Sequence, residues 1–118
     1  MKKIRINNYL DGFAKIYQEE VIRTNFGAKY NSKTVDKLNL IVKLAYTECN
    51  KRQQDLEFAE SVSRNLSMKI KTRTYNNIRS DHKVVINNVL YDIIYLDYDR
   101  KNKEIYFYLE EIRSLEVD

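Results

Sequence analysis

A chain of 118 residues holds one modest core, so any larger structure built from it arises by association with other chains. With 43% hydrophobic and 32% charged residues it reads as an ordinary soluble domain, and its longest apolar stretch, Val89 to Leu96, is broken by Asp92 and too short to span a bilayer. The net charge of +4 is uneven: Glu104 to Asp118 carry −4, leaving +8 on the first 103 residues. A basic body suits nucleic acid and an acidic end suits a basic neighbour, although a solvated surface is the plainer reading of charge alone.

Met1 to Arg5 is basic but is followed by no apolar h-region, which predicts no export signal. Phe13 to Tyr17 partly alternates and predicts a strand that Val21-Ile22 continue, whereas Asn25-Phe26-Gly27 and Lys29 to Lys33 read as turn or loop. Leu38 to Tyr46 is a continuous apolar run. Periodicity alone does not separate strand from helix at that length, and the β-branched pair Ile41-Val42 favours a strand.

From Lys51 to Leu66 the pattern changes. Leu56, Ala59, Val62 and Leu66 recur at helical spacing, Phe58 pairs with Val62, and Asn50 with Gln53 has the form of a capping box. The opposite face, Arg52, Gln53, Glu57, Glu60 and Arg64, is polar. Met68, Ile70, Thr72 and Thr74 then alternate with Lys69, Lys71, Arg73 and Tyr75 as in a half-buried strand. A loop from Asn76 to Lys83 leads to the short strand Val84 to Ile86. Asn87-Asn88 makes a two-residue hairpin turn, because Asn tolerates positive φ. Val89 to Tyr98 returns, Asp99 to Asn102 turns again, and Lys103 to Ile112 closes the set, with Ile105, Phe107 and Leu109 on one face and Tyr106 and Tyr108 on the other. The expected fold is mainly β (α+β): residues 1–118 form a single domain, a small rolled sheet or β-barrel with one helix inserted between strands. An open sheet of this kind would leave edges that need closure or a partner.

The chemistry-bearing residues are sparse. Cys49 is the only cysteine, which excludes an intrachain disulfide and fits a reducing cytoplasm, and His82 is the only histidine. No cofactor or metal is expected, since the two glycines, Gly12 and Gly27, make no phosphate loop. His82, between Asp81 and Lys83, reads as an exposed loop residue. Glu19-Glu20 and Glu110-Glu111 are adjacent on strands and so point to opposite faces, a poor arrangement for a general acid and base. Six of the ten tyrosines fall between Tyr75 and Tyr108, beside a basic stripe of Lys69, Lys71 and Arg73. Such a combination can stack bases and neutralise phosphates, but tyrosine is equally at home in strands and interfaces.

The order of segments in the second half resembles the head–tail joining (head-closure) proteins of tailed double-stranded DNA phages. The likeness runs through Leu56-Glu57-Phe58-Ala59-Glu60, Leu66 to Thr74, Ile78, Val84-Val85-Ile86, Asn87-Asn88, Tyr91-Asp92-Ile93, Leu96-Asp97, Arg100 to Lys103 and Ile105 to Leu109. A tryptophan usual before the helical segment is replaced by Leu44-Ala45-Tyr46. The resemblance implies a non-enzymatic virion subunit, made in the host cytoplasm and monomeric when free. It would form a ring between portal or adaptor proteins and a tail-completion protein, with packaged DNA passing through and no membrane involved. By the same resemblance Lys69, Lys71 and Arg73 would face the DNA channel. The segment bearing Arg52, Gln53, Glu57, Glu60 and Arg64 would line that channel or dock on the portal side, or else simply cover the open end of the barrel. Two rival readings stand beside it. One is a small toxin-like ribonuclease acting through Arg79, His82, Tyr91 and Tyr95, and the other is a generic nucleic-acid-binding barrel.

Overall fold

The computed structural model describes residues 9–19, 21–23, 29–31 and 38–115. In chain order the elements are β1 (Gly12–Glu19), β2 (Val21–Arg23), β3 (Lys29–Asn31), β4 (Leu38–Cys49), α1 (Gln53–Ser61), β5 (Met68–Arg73), β6 (Lys83–Ile86), β7 (Val89–Asp99) and β8 (Glu104–Ser114). Six strands close into an antiparallel barrel in the order β1-β4-β5-β8-β7-β6, and β2 and β3 pair as a separate two-stranded sheet. The expected β-rich fold with one inserted helix is therefore the one observed.

Alternation decides which side chains enter the barrel. Ala14 and Ile16 from β1, Ile70 and Thr72 from β5, Val84 and Ile86 from β6, and Ile105, Phe107 and Leu109 from β8 are all buried at 0–2% exposure. The expected split of β8 is present, with Phe107 inside and Tyr106 and Tyr108 outside against the helix. A six-stranded barrel is narrow, and its strands must bend sharply to close. The register shifts between Ile16 and Tyr17 in β1, and between Leu90 and Tyr91 and between Ile93 and Tyr95 in β7. Such bulges add local twist and bend where the barrel turns its corners. The seam that closes it is β1 against β6, from Lys15↔Val85 to Tyr17↔Lys83.

Without proline, and with few glycines, the tight turns use other residues. Asn87 and Asn88 both take positive φ, 50° and 63°, the type I′ geometry expected of that pair. The helix ends on Ser63 at φ 58°, where Ser63 N–H donates to the Glu60 carbonyl at 2.9 Å and Arg64 N–H to the Ala59 carbonyl at 2.8 Å. This is a Schellman arrangement made without glycine.

Several local expectations are corrected. The helix is capped by Arg52 and Asp55, not by Asn50 and Gln53: Arg52 N–H donates to Asp55 Oδ2 at 3.0 Å, and α1 starts three residues after Asn50. Lys29–Asn31 is strand and not loop, because Val21–Arg23 offers it a hydrogen-bonding partner. For the same reason Val21-Ile22 do not prolong β1 within the barrel. The turn expected at Asn25-Phe26-Gly27 lies outside the described residues, as do Glu20, the loop positions Ser32 and Lys33, and the terminal acids Glu116 and Asp118.

Candidate functional site

The helix lies across the outer wall of the barrel and not over its end. Ala59, Leu66 and Tyr108 form a small buried cluster there, with Leu56, Ile94 and Tyr106 packed around it. Beneath the first turn sits a charged cluster. Asp55, 3% exposed, accepts from Lys69 Nζ at 3.0 Å and from Arg52 Nε at 3.2 Å, and Lys69 is itself only 6% exposed. The Lys69 ammonium also lies 5.0 Å from the Tyr108 ring centre and 5.4 Å from that of Tyr106, within cation–π range. Burial alone pushes the Asp55 carboxyl up. The bonds from the Arg52 side chain and backbone, with those from Lys69, outweigh it and hold the carboxyl well below the usual carboxylate range.

This changes the reading of the basic stripe. Lys69 fastens the helix to the barrel and is not available to a phosphate. Lys71 is half-buried, 3.8 Å from the buried carboxylate of Glu104. Of the three, Arg73 alone is exposed. It does not stand alone, since Arg73 is in register with Glu104 and Thr74 N–H donates to the Lys103 carbonyl at 2.9 Å. Arg73 therefore borders the β7–β8 turn, where Arg100, Lys101 and Lys103 are all exposed. The turn is held by Asp99, whose carboxylate accepts from Asn102 N–H at 3.1 Å and from Asn102 Nδ2 at 2.8 Å. Four cations thus gather at one end of the barrel. The period-2 pattern drew attention to the strand, while this rim depends on which turn the strand end abuts.

The polar helix residues also divide. Gln53, Glu57 and Glu60 are exposed, and Gln53 Nε2 donates to Glu57 at 3.3 Å. Arg64 lies beyond α1 and bridges Glu110 at 2.5 Å and Asp92 at 3.4 Å, two carboxylates directly opposite each other on β8 and β7. Lys83, in register with Asp92 on β6, binds that carboxylate as well. Above the wall, Phe58 and Tyr95 meet edge to face at 5.4 Å, and Tyr95 meets Tyr108 at 5.6 Å.

The four residues of the ribonuclease reading are not brought together. Tyr91 points into the barrel core, whereas Tyr95 stands outside in the aromatic stack. Arg79 is exposed and paired with Asp81 at 3.2 Å. His82 is not an exposed loop residue: it is 3% exposed, and its Nδ1 accepts from Arg79 N–H at 3.1 Å. Burial pushes its pKa down. The polar neighbours of His82 in the sequence conceal that the turn needed a buried acceptor. Cys49 is partly buried, and burial pushes its thiol up, away from nucleophilic use. Among the described residues no group of three or more His, Cys, Asp or Glu is placed to hold a metal ion, and no helix is long and apolar enough to cross a membrane.

No protein-family model matches this chain, and no curated protein matches it. Among solved structures, it is similar to a chain of the virion of a native gene transfer agent (GTA) particle, with a TM-score of 0.56 at 10% identity. The match covers 95% of this chain and 100% of that one, and what the two chains share is the fold.

Proposed function

We propose that this chain is a structural protein of a phage-like virion, a ring subunit of the head–tail connector that closes the DNA-filled head between portal or adaptor and tail. The observation that carries this reading is the fold likeness to a virion chain over 95% of the sequence, at matching chain length. The order of segments from Leu56 to Leu109 points independently to the same class. The chemistry of the side chains agrees: Asp55 and Lys69 bind each other beneath the helix, Arg64 binds Glu110 on β8, and the buried His82 accepts from Arg79 N–H within its own turn. In such a ring the rim of Arg73, Arg100, Lys101 and Lys103 is the element suited to passing DNA, in place of the Lys69–Arg73 stripe.

The test is a pull-down of the tagged chain from phage-infected or prophage-induced cells, with identification of the recovered peptides. Portal, adaptor or tail-completion proteins are the expected catch. Ribosomes or RNA without virion proteins would overturn the connector role.

A further inference from the structure

The barrel order places β1 and β4 diametrically across from β8 and β7. The outward face of β1 and β4 carries Phe13 and Leu40, 56% and 55% exposed. Between them Lys15 and Lys43 are directly opposite in register, and both are exposed. Like charges facing each other across two strands repel, and the Lys43 ammonium sits over the Phe13 ring at 4.4 Å. This side of the molecule is apolar and mainly basic, with the exposed Asp11 at its edge accepting from Glu48 N–H at 2.7 Å.

The opposite side has the complementary character. Phe58, Val62 and Tyr95 are 40%, 48% and 45% exposed along the outward side of α1 and the adjoining part of β7. Around them Glu57, Glu60 and Asp97 are exposed; of the nearby bases, Arg64 pairs with Asp92 and Glu110, Arg52 shares the Asp55 carboxylate with Lys69, and Lys51 donates to the Ser67 carbonyl at 3.2 Å. What faces solvent is therefore an aromatic patch with an acidic rim.

We infer that these two faces are the halves of one contact between copies of this chain, the acidic aromatic helix face of one copy seated on the basic β1–β4 face of the next. Each half offers exposed apolar area, with Lys15 and Lys43 beside one and Glu57, Glu60 and Asp97 beside the other, and these opposite signs favour this pairing and oppose either face meeting itself. Duplex DNA on the basic face would leave Phe13 and Leu40 without apolar partners. A contact whose halves lie on opposite sides of the subunit repeats head to tail, and closes into a ring or runs on as a filament. The contact deepens the proposed connector role and rests on it only for ring closure.

Cross-linking at millimolar protein tests it. In a Cys49→Ser background, a Leu40→Cys chain is mixed with a Val62→Cys chain under mild oxidant. The expected mixed disulfide exceeds by about tenfold that from Leu40→Cys mixed with Ser80→Cys, which lies on an exposed loop outside both faces. Lys15→Glu with Lys43→Glu on the first chain removes the excess, as does Glu57→Lys with Glu60→Lys on the second, and the two swaps together restore it. All these positions except the partly buried Cys49 are exposed, and circular dichroism checks that each variant is folded. A Leu40–Val62 yield equal to the control, or a double swap that fails to restore it, overturns the contact. If that happens while the pull-down recovers portal or adaptor, the connector role stands without this interface. If the cross-link forms and no virion protein is recovered, the contact stands and the connector role falls.

Discussion

Asp55 shows how much one side chain can hold here. Its Oδ2 accepts from Arg52 N–H at 3.0 Å, Arg52 Nε at 3.2 Å and Lys69 Nζ at 3.0 Å, so the same carboxylate caps the helix and neutralises a buried ammonium. Removing one partner of a buried pair leaves an uncompensated charge. Asp55→Ala is expected to lower stability by about 3 kcal/mol in urea unfolding at neutral pH. Because the folded carboxyl titrates below its unfolded value of about 4, its contribution is complete above that pH and is lost progressively as pH falls from there toward the lower folded value. The gap between wild type and variant should therefore narrow steadily below about pH 4. A gap that stays constant down to acid pH would show that the carboxylate is not the stabilising form. His82 has the same sign of linkage at a different pH. Its folded pKa lies below its unfolded one of about 6.5, so its neutral form contributes above that pH and the contribution is lost as pH falls. Wild type should lose stability between about pH 7 and 5 by an increment that is absent from His82→Gln, measured by thermal melts across that range. Neither role was legible in the sequence. Asp55 has the polar neighbours of a surface helix, and His82 those of a surface loop, and in both cases the inward direction is set by distant elements.

At the scale of elements the hairpins were the most legible part. From Met68 onward, alternation gives the inside and outside of the strands, and Asn87-Asn88 marks its turn because an L residue other than Asn is strained at positive φ. Asn88→Ala is expected to cost about 1 kcal/mol by denaturant unfolding. Asn88→Gly should cost nothing, since Gly is at ease at the 63° observed there. Equal losses in both variants would mean that the Asn88 side chain, not its backbone conformation, matters. The helix was legible as a helix, but its seat was not. Period-2 reading assigns Lys69, Lys71 and Arg73 to solvent, which holds for a bare sheet. Here α1 covers the outer wall at Lys69, so a lysine on the outward face is enclosed between Asp55 and two tyrosine rings. Placement of a covering element depends on the path from Ser61 back to Met68, pinned by Arg64 on Glu110 and Asn65 N–H on the same carboxylate at 2.8 Å. No spacing rule reveals contacts of that sequence separation.

For the molecule as a whole, closure into a barrel removes most of the sheet edges that an open meander of these strands would expose, and it concentrates the remaining interaction capacity on faces and ends. One end carries the rim of Arg73, Arg100, Lys101 and Lys103. Each phosphate neutralised by such a cation releases counterions, and the logarithm of the binding constant falls with that of salt concentration by about 0.9 per contact on duplex DNA. If all four side chains reach phosphates, the salt slope contains about 3.6 from this rim. Replacing all four by Gln should flatten the salt dependence by about that amount, measured by fluorescence anisotropy on duplex DNA over a salt series. Lys69→Met is the contrasting variant: it should leave the slope unchanged and lower stability, because Lys69 is committed to Asp55 in the folded chain. A slope that responds to Lys69 and not to the rim would return the DNA-facing role to the β5 stripe, and would require the helix to lift from the barrel wall when DNA is bound.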